Sequence, residues 1–413
     1  MGSLYTAAKA AWRDYVTDGV PASGANPPSK SAIRALFQTV DNRLNFVTPQ
    51  DYGAVGDSST DDATALQNWL NAIAAGARGY IPGLAGGNYY KCGTGLTHSG
   101  FLSIDGEGTA SRIHYTGTGV ALNLSGPRFS RLCNFYLTGT ALATGGMYVR
   151  SAQQGYFDES VQIEGFSKSG AYGRRFSSCW TGTIIGGASR NGDSGLIFDT
   201  VVDSSAGETN VFNIIGVDCS NNAAIGIDYQ AGFRSQIIGC DFSSSLTGVE
   251  IGRALSGSNT CRGILVAGNY FETTNGVLVG RGATNSPVCA YVTIQDNHID
   301  CSGDMVRLYT GGTYYVGEQL FGAGTNTIAS GVTAVVWDAT AAVTDNTANG
   351  VLYPKKLIAS PFHLQLKSYA KASLPSASVS GQMIYVTDET GGATPAFSDG
   401  TNWRRVADRA VVS

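Results

Sequence analysis

The chain has 413 residues and a formal net charge of -4, with only 14% charged residues against 55 glycines. Such sparse, scattered charge excludes a basic nucleic-acid footprint, and the glycine content points to a turn-dense, β-rich chain. No apolar run approaches the ~18 residues of a bilayer span, so no membrane partner is expected.

The opening MGSLYTAAKAAWRDYV has neither the basic nor the apolar region of a signal peptide, and the expectation is a protein that folds where it is made. Residues 1–46 are Ala-rich and helix-prone, split by the linker GVPASGANPPSKS, and form a helical adaptor. After the linker, Ile33, Leu36, Phe37 and Val40 recur at helical spacing, with Leu44 one turn on. This short apolar seam either packs on the next domain or joins subunits in a helical bundle.

Residues 49–73, PQDYGAVGDSSTDDATALQNWLNAI, combine a Gly-punctuated strand with an amphipathic helix. Thr60 or Asp61 can cap that helix, Asp62 suits its positive first turn, and Ala65, Leu66, Trp69, Leu70 and Ile73 form one apolar face. The wording DYGAVGD..TDD..AL resembles the opening of the pectate-lyase-like superfamily of right-handed parallel β-helices, which includes phage tailspikes and polysaccharide depolymerases. The resemblance implies that this helix closes the open end of a solenoid. It implies turn and cap roles for Asp51, Asp57, Asp61 and Asp62, and departs from the family at Ser58, where glycine is usual.

Residues 47–352 are expected to form the β-helix. A degenerate repeat aligns IIGVDC (214–219), IIGCDF (237–242), VAGNYF (266–271) and IQDNHI (294–299), whose last residues lie 23, 29 and 28 apart. Periods of 20 to 50 residues indicate a solenoid. Each unit continues into a second apolar strand, GIDYQ at 226, GVEIG at 248, GVLVG at 276 and MVRLY at 305. The eight cysteines show no C-x-x-C or C-x-x-H spacing and are expected to be reduced core thiols, with no metal and no cofactor. From residue 353 a small C-terminal β module is expected. Its segment LPSAS.SGQMIYVTDE....AFSDGTNWRRV resembles tail segments of phage tail proteins, and Trp403 is expected to be its hydrophobic anchor, with stacking on a sugar as the alternative.

Nucleophile and cofactor motifs are missing, which leaves carboxylates as the catalytic vocabulary. Equivalent residues on adjacent rungs stack ~4.8 Å apart, a spacing suited to paired carboxyls on a glycosidic bond. The alignment stacks Asp218 on Asp241 and Asp228 on Glu250, and these four are the candidate catalytic residues. Stacked like charges should leave one member of each pair protonated near neutral pH. The competing reading is a row of solvated or structural acids. The columns continue into Tyr270 and His298, and into Leu278 and Arg307, with Glu272 beside them, as a sugar-facing wall. Asp158, Glu159 and Glu164 are the alternative acid group, where Arg174, Arg175 and Trp180 could hold an acidic sugar.

The resemblance implies a homotrimeric tailspike in the virion tail, made in the host cytoplasm, that hydrolyses a bacterial surface polysaccharide by carboxylate acid/base catalysis. Its N-terminal region would join other tail proteins. A polysaccharide lyase and a non-enzymatic receptor-binding fibre remain as alternatives.

Overall fold

The computed structural model describes residues 46–152, 155–199, 209–253, 261–282, 289–317, 319, 321–337, 344–345, 351–354 and 366–412. The helical adaptor expected up to residue 46, with its apolar seam, lies outside them except for its last residue. The chain divides into two compact units, Met1–Lys355 and Lys356–Ser413.

The first unit is a parallel β-helix. Its short strands return to the same three faces on every turn, so each strand pairs in parallel with those one rung before and after it. Sheet I contains Ser194–Asp199, Ile225–Tyr229, Thr247–Ile251 and Asn275–Val279. Sheet II contains Asn210–Ile215, Gln236–Ile238, Leu265–Ala267 and Val292–Gln295. Sheet III runs from Tyr90–Cys92 through Gln162–Glu164 and Ala188–Arg190, thins to single bridges at Asp218 and Asp241, and resumes at Tyr270–Thr273. The register reproduces the sequence alignment: Ile214, Ile237, Val266 and Ile294 are successive Cα partners.

Period-2 alternation sends one set of side chains into the solenoid and the other outward. Phe176, Phe198, Phe212 and Tyr229 stack inside, with ring centroids 5.0–5.1 Å apart. All eight cysteines are free and buried, and burial pushes the Cys133 thiol up to about 12. At one corner the chain turns sharply through a single left-handed residue per rung, among them Gly155, Val211 and Tyr291 at φ 65°, 57° and 57°. A β-branched residue such as Val211 is strained there, so the turn is imposed by the stacked strands on either side.

Helix α1, Ala63–Ala74, closes the first rung by burying Leu66, Trp69, Leu70 and Ile73. Each such side chain contributes roughly 1.5–3 kcal/mol of apolar burial. The Trp69 indole donates to the Val47 carbonyl at 2.8 Å. The Gln67 amide pairs with both N and O of Thr97, occupying backbone groups at the edge of the terminal strand. The acids of the opening motif are turn and cap residues. Asp57 accepts from the amides of Ser59 and Thr60, Asp61 from those of Ala63 and Gly93, and Asp51 from that of Thr48. Asp62, not Thr60 or Asp61, is the N-cap residue, and its carboxylate turns back to the amides of Val55 and Gly56. Ser58 lies at φ 68°, which accounts for the family's preference for glycine; its hydroxyl accepts from the Tyr89 amide at 3.1 Å and offsets part of the strain.

The second unit is a four-stranded sheet, Ser368–Tyr369, Met383–Val386, Thr394–Ser398 and Trp403–Arg405, the last three antiparallel. Trp403 is buried with Ile384, Val386 and Ala396, and its indole donates to the Pro375 carbonyl.

Among the described residues one ionic pair lies inside the solenoid. Arg174 and Asp158 are both fully buried, joined at 2.9 Å, and Arg174 also donates to the carbonyls of Ala188 and Val161. Asp158→Ala would leave an uncompensated guanidinium in the core, at about 3–5 kcal/mol. Its melting temperature should fall by several degrees, whereas the double change Asp158→Leu with Arg174→Met should lose less; equal loss in thermal denaturation would contradict this account.

Candidate active site

The outward face of sheet III carries a continuous polar band. Its columns place Gln162, Ala188, Asp218, Asp241, Tyr270 and His298 one above the next, and Glu164 beside Arg190. Arg190 ties the band together, donating from Nε to Glu164 at 2.8 Å and from Nη1 to Asp218 at 2.6 Å. Tyr136 donates to the other oxygen of Glu164. Asp218 is further held by the Ser220 amide at 3.0 Å. Asp241 accepts from the amide and hydroxyl of Ser243 at 2.9 and 2.5 Å, and no cation reaches it among the described residues.

One rung on, Tyr270 is 41% exposed and stacks on His298, with centroids 4.9 Å apart and planes 27° from parallel. Its hydroxyl donates to Glu272 at 3.4 Å, and the Glu272 charge raises its pKa. Glu272 is in register with Asp300, and both are exposed. The band thus presents carboxylates at rung spacing next to the exposed Tyr270 and the half-buried His298, a combination suited to a sugar ring and its hydroxyls.

Asp228 and Glu250 are Cα partners on adjacent rungs of sheet I, but both are 0% exposed. Each lies beneath an arginine. Arg253 donates to Asp228 at 2.5 Å; Arg281 grips Glu250 with two bonds of 2.6 Å. Gln230 donates to the same Asp228 oxygen as Arg253, while Oδ1 has no hydrogen-bond partner among the described residues. Burial raises the pKa of both acids, opposed by the arginines. They are therefore neither solvated acids nor a pair open to substrate. Repulsion between them, the expected source of divided protonation, is secondary to desolvation.

The alternative group is dispersed by the pleat. Asp158 points into the core, Glu159 lies on sheet II with Arg131 at 3.5 Å, and Glu164 belongs to the sheet III band. Arg174 is sealed inside with Asp158 and is not presented to a ligand. Arg175 pairs outward with Asp199 at 2.6 Å, and Trp180 is 48% exposed on sheet II, the next face round. Arg307 pairs with Asp304 at 3.0 Å.

Arg190, Arg253, Arg281, Asp199 and Asp300 escaped the sequence reading. A signal for two of them was present: GVEIGR (248–253) and GVLVGR (276–281) repeat an arginine at the same place after the strand. Among the described residues no group of three or more His, Cys, Asp or Glu side chains is arranged to hold a metal.

No family model matches the sequence, and no curated protein does either. The fold has clear counterparts among solved structures. The gp42 tailspike of Acinetobacter phage vb_AbaP_AS12 superposes with TM-score 0.52 at 12% identity, over 87% of this chain and 76% of that one. The Dettilon tailspike protein gp208 matches with TM-score 0.52 at 14% identity, over 81% and 72%.

Burial raises the carboxyls of Asp158, Asp199, Asp228 and Glu250 above their ordinary values of 3.8 and 4.5. A native state with raised carboxyls takes up protons before the unfolded chain does, so its stability grows as pH falls through the native values and is lost as pH rises through them. The β-helix should melt higher at pH 5 than at pH 7, and the difference should shrink in Asp228→Asn. A melting temperature that falls from pH 7 to pH 5 would contradict this. At these similarities the comparisons establish architecture: the chain has the parallel β-helix fold of phage tailspikes.

Proposed function

We propose that the protein is a phage-type tailspike that binds and hydrolyses a bacterial surface polysaccharide through carboxylate general acid/base catalysis on the sheet III band. The observation that carries this reading is the bridge between Asp218 and Asp241 on adjacent rungs, beside the Tyr270–His298 stack. The two carboxylates stand in different surroundings. Asp218 is immobilised by Arg190 and Ser220, while Asp241 keeps an oxygen free for a ligand. A backbone separation of ~4.8 Å is close to the ~5–5.5 Å between carboxyls of retaining glycosidases.

In this reading one carboxyl protonates the glycosidic oxygen as the leaving sugar departs, the other bonds to the anomeric carbon as a glycosyl ester, and water deprotonated by the first then displaces that ester and releases the sugar. Tyr270 and His298 offer a flat surface for a neighbouring sugar, and Glu272 accepts from its hydroxyls. Asp228 and Glu250 act as anchors for their arginines. Solved tailspikes of the same architecture support a virion tail location. Three copies side by side, joined to other tail proteins through residues 1–46, complete the proposal.

Asp218→Asn and Asp241→Asn should each lower turnover by at least ~100-fold with the melting temperature nearly unchanged. Asp228→Asn and Glu250→Gln should keep most activity and change stability instead. The assay screens capsular and lipopolysaccharide preparations for new reducing ends. Ultraviolet-absorbing unsaturated products would identify a lyase, and binding without cleavage a receptor fibre. Light scattering should return three times the chain mass of 43.0 kDa; a monomer at micromolar concentration would refute the trimer.

A further inference from the structure

The outward face of sheet I has a charge arrangement opposite to that of the sheet III band. Four acid–arginine pairs run along it: Asp199–Arg175, Asp228–Arg253, Glu250–Arg281 and Asp304–Arg307. In every pair the carboxylate is the inner member, with side-chain exposure of 8%, 0%, 0% and 15%. The guanidinium is the outer member, at 34%, 38%, 43% and 39%. Each pair is neutral in sum but turns its positive end to solvent.

Packing does not demand these acids. Ile197 precedes Asp228 in the same outward column and Leu278 follows Glu250, so the fold accepts apolar side chains at this position. A buried carboxylate carries a desolvation cost that an aliphatic side chain avoids. What it provides is an arginine held in one orientation. Arg281 and Arg175 use Nε and one terminal nitrogen on their acids, which leaves three of five N–H donors in each fork unused by those acids. Tyrosine rings accompany them: Arg175 lies 5.2 Å from the Tyr148 ring centroid and 5.8 Å from that of Tyr172, and Arg307 lies 4.6 Å from that of Tyr309.

We infer that this stripe binds the anionic groups of an acidic polysaccharide, such as the carboxylates of a polyuronate. The inference rests on the proposed polysaccharide ligand and adds its charge class. Planar guanidinium forks match carboxylate, phosphate or sulfate oxygens in pairs, and the tyrosine rings brace two of the guanidiniums. The stripe and the sheet III band lie on the same rungs, one corner apart, so one long glycan chain can engage both. The acidic band alone would repel such a polymer; the fixed guanidiniums supply the opposing attraction.

Equilibrium binding of polygalacturonate and of neutral dextran to the full chain tests this at low and at physiological salt. Polygalacturonate should bind and weaken with salt, and dextran should not bind. Arg253→Gln and Arg281→Gln should each reduce affinity at least ~10-fold. The double variant Glu250→Gln with Arg281→Gln, which leaves no uncompensated charge if the single variant fails to fold, should lose as much. Glu250→Gln alone keeps the guanidinium but loosens its anchor, and its affinity should fall between those of the parent and the Arg281→Gln variant. Unchanged affinity in the arginine variants, equal binding of dextran, or duplex DNA bound as tightly and lost in the same variants would overturn the stripe. Asp241→Asn, on the sheet III band, is read by turnover alone: full turnover in that variant with binding lost in the arginine variants would refute the hydrolytic reading and leave the stripe standing, so the two failures stay distinguishable.

Discussion

Everything in this protein follows from in-register parallel stacking of one short strand on the next. Because a parallel ladder pairs each residue with its equivalent one rung away, the inward and outward sets never exchange, and a feature on one rung is carried into a column. The inward columns become the aromatic stack from Phe176 to Tyr229. The outward columns become ordered rows of functional groups. The same constraint forces the corners to turn within a residue or two, so Val211 and Tyr291 occupy left-handed backbone that they would not adopt alone.

Stacking also concentrates like charges, and the structure meets that cost differently on its different surfaces. On sheet III the acids remain partly solvated, linked by Arg190 and by backbone amides at Ser220 and Ser243. On sheet I each acid is withdrawn from water and covered by its own arginine. Inside the solenoid, Asp158 is admitted only with Arg174, whose remaining donors go to backbone carbonyls. Where the acid is buried, a cation of the neighbouring turn answers it, since unpaired burial would cost several kcal/mol.

The consequence is a β-helix whose adjacent faces offer different chemistry at the same height. One face presents carboxylates, Tyr270 and His298 to solvent; the next presents guanidiniums held over buried acids. A linear polymer with regularly spaced groups suits such a surface better than a small ligand does, because both have a repeat along one axis. A closed solenoid with a helical cap also keeps these rows in place without relying on a deep pocket.

The fold was legible from local signals: the capped helix after DYGAVGD, the recurrence of IIGVDC, IIGCDF, VAGNYF and IQDNHI, and the second apolar strand that follows each. These act through period and alternation, which a linear sequence displays directly, and they were enough to align Asp218 with Asp241 and Asp228 with Glu250. The surroundings of those pairs could not be read the same way. Asp158 stands next to Glu159 in sequence, yet the pleat sends one into the core and the other to the surface. Glu250 and Arg281 stand 31 residues apart, yet they meet because a side chain placed just after one strand reaches back across a single rung. Sequence by itself determined which residues share a column, since that depends on strand period alone. Only the tertiary structure decided which carboxylates an arginine covers and which face water, because that depends on where each turn brings its neighbour's long side chains.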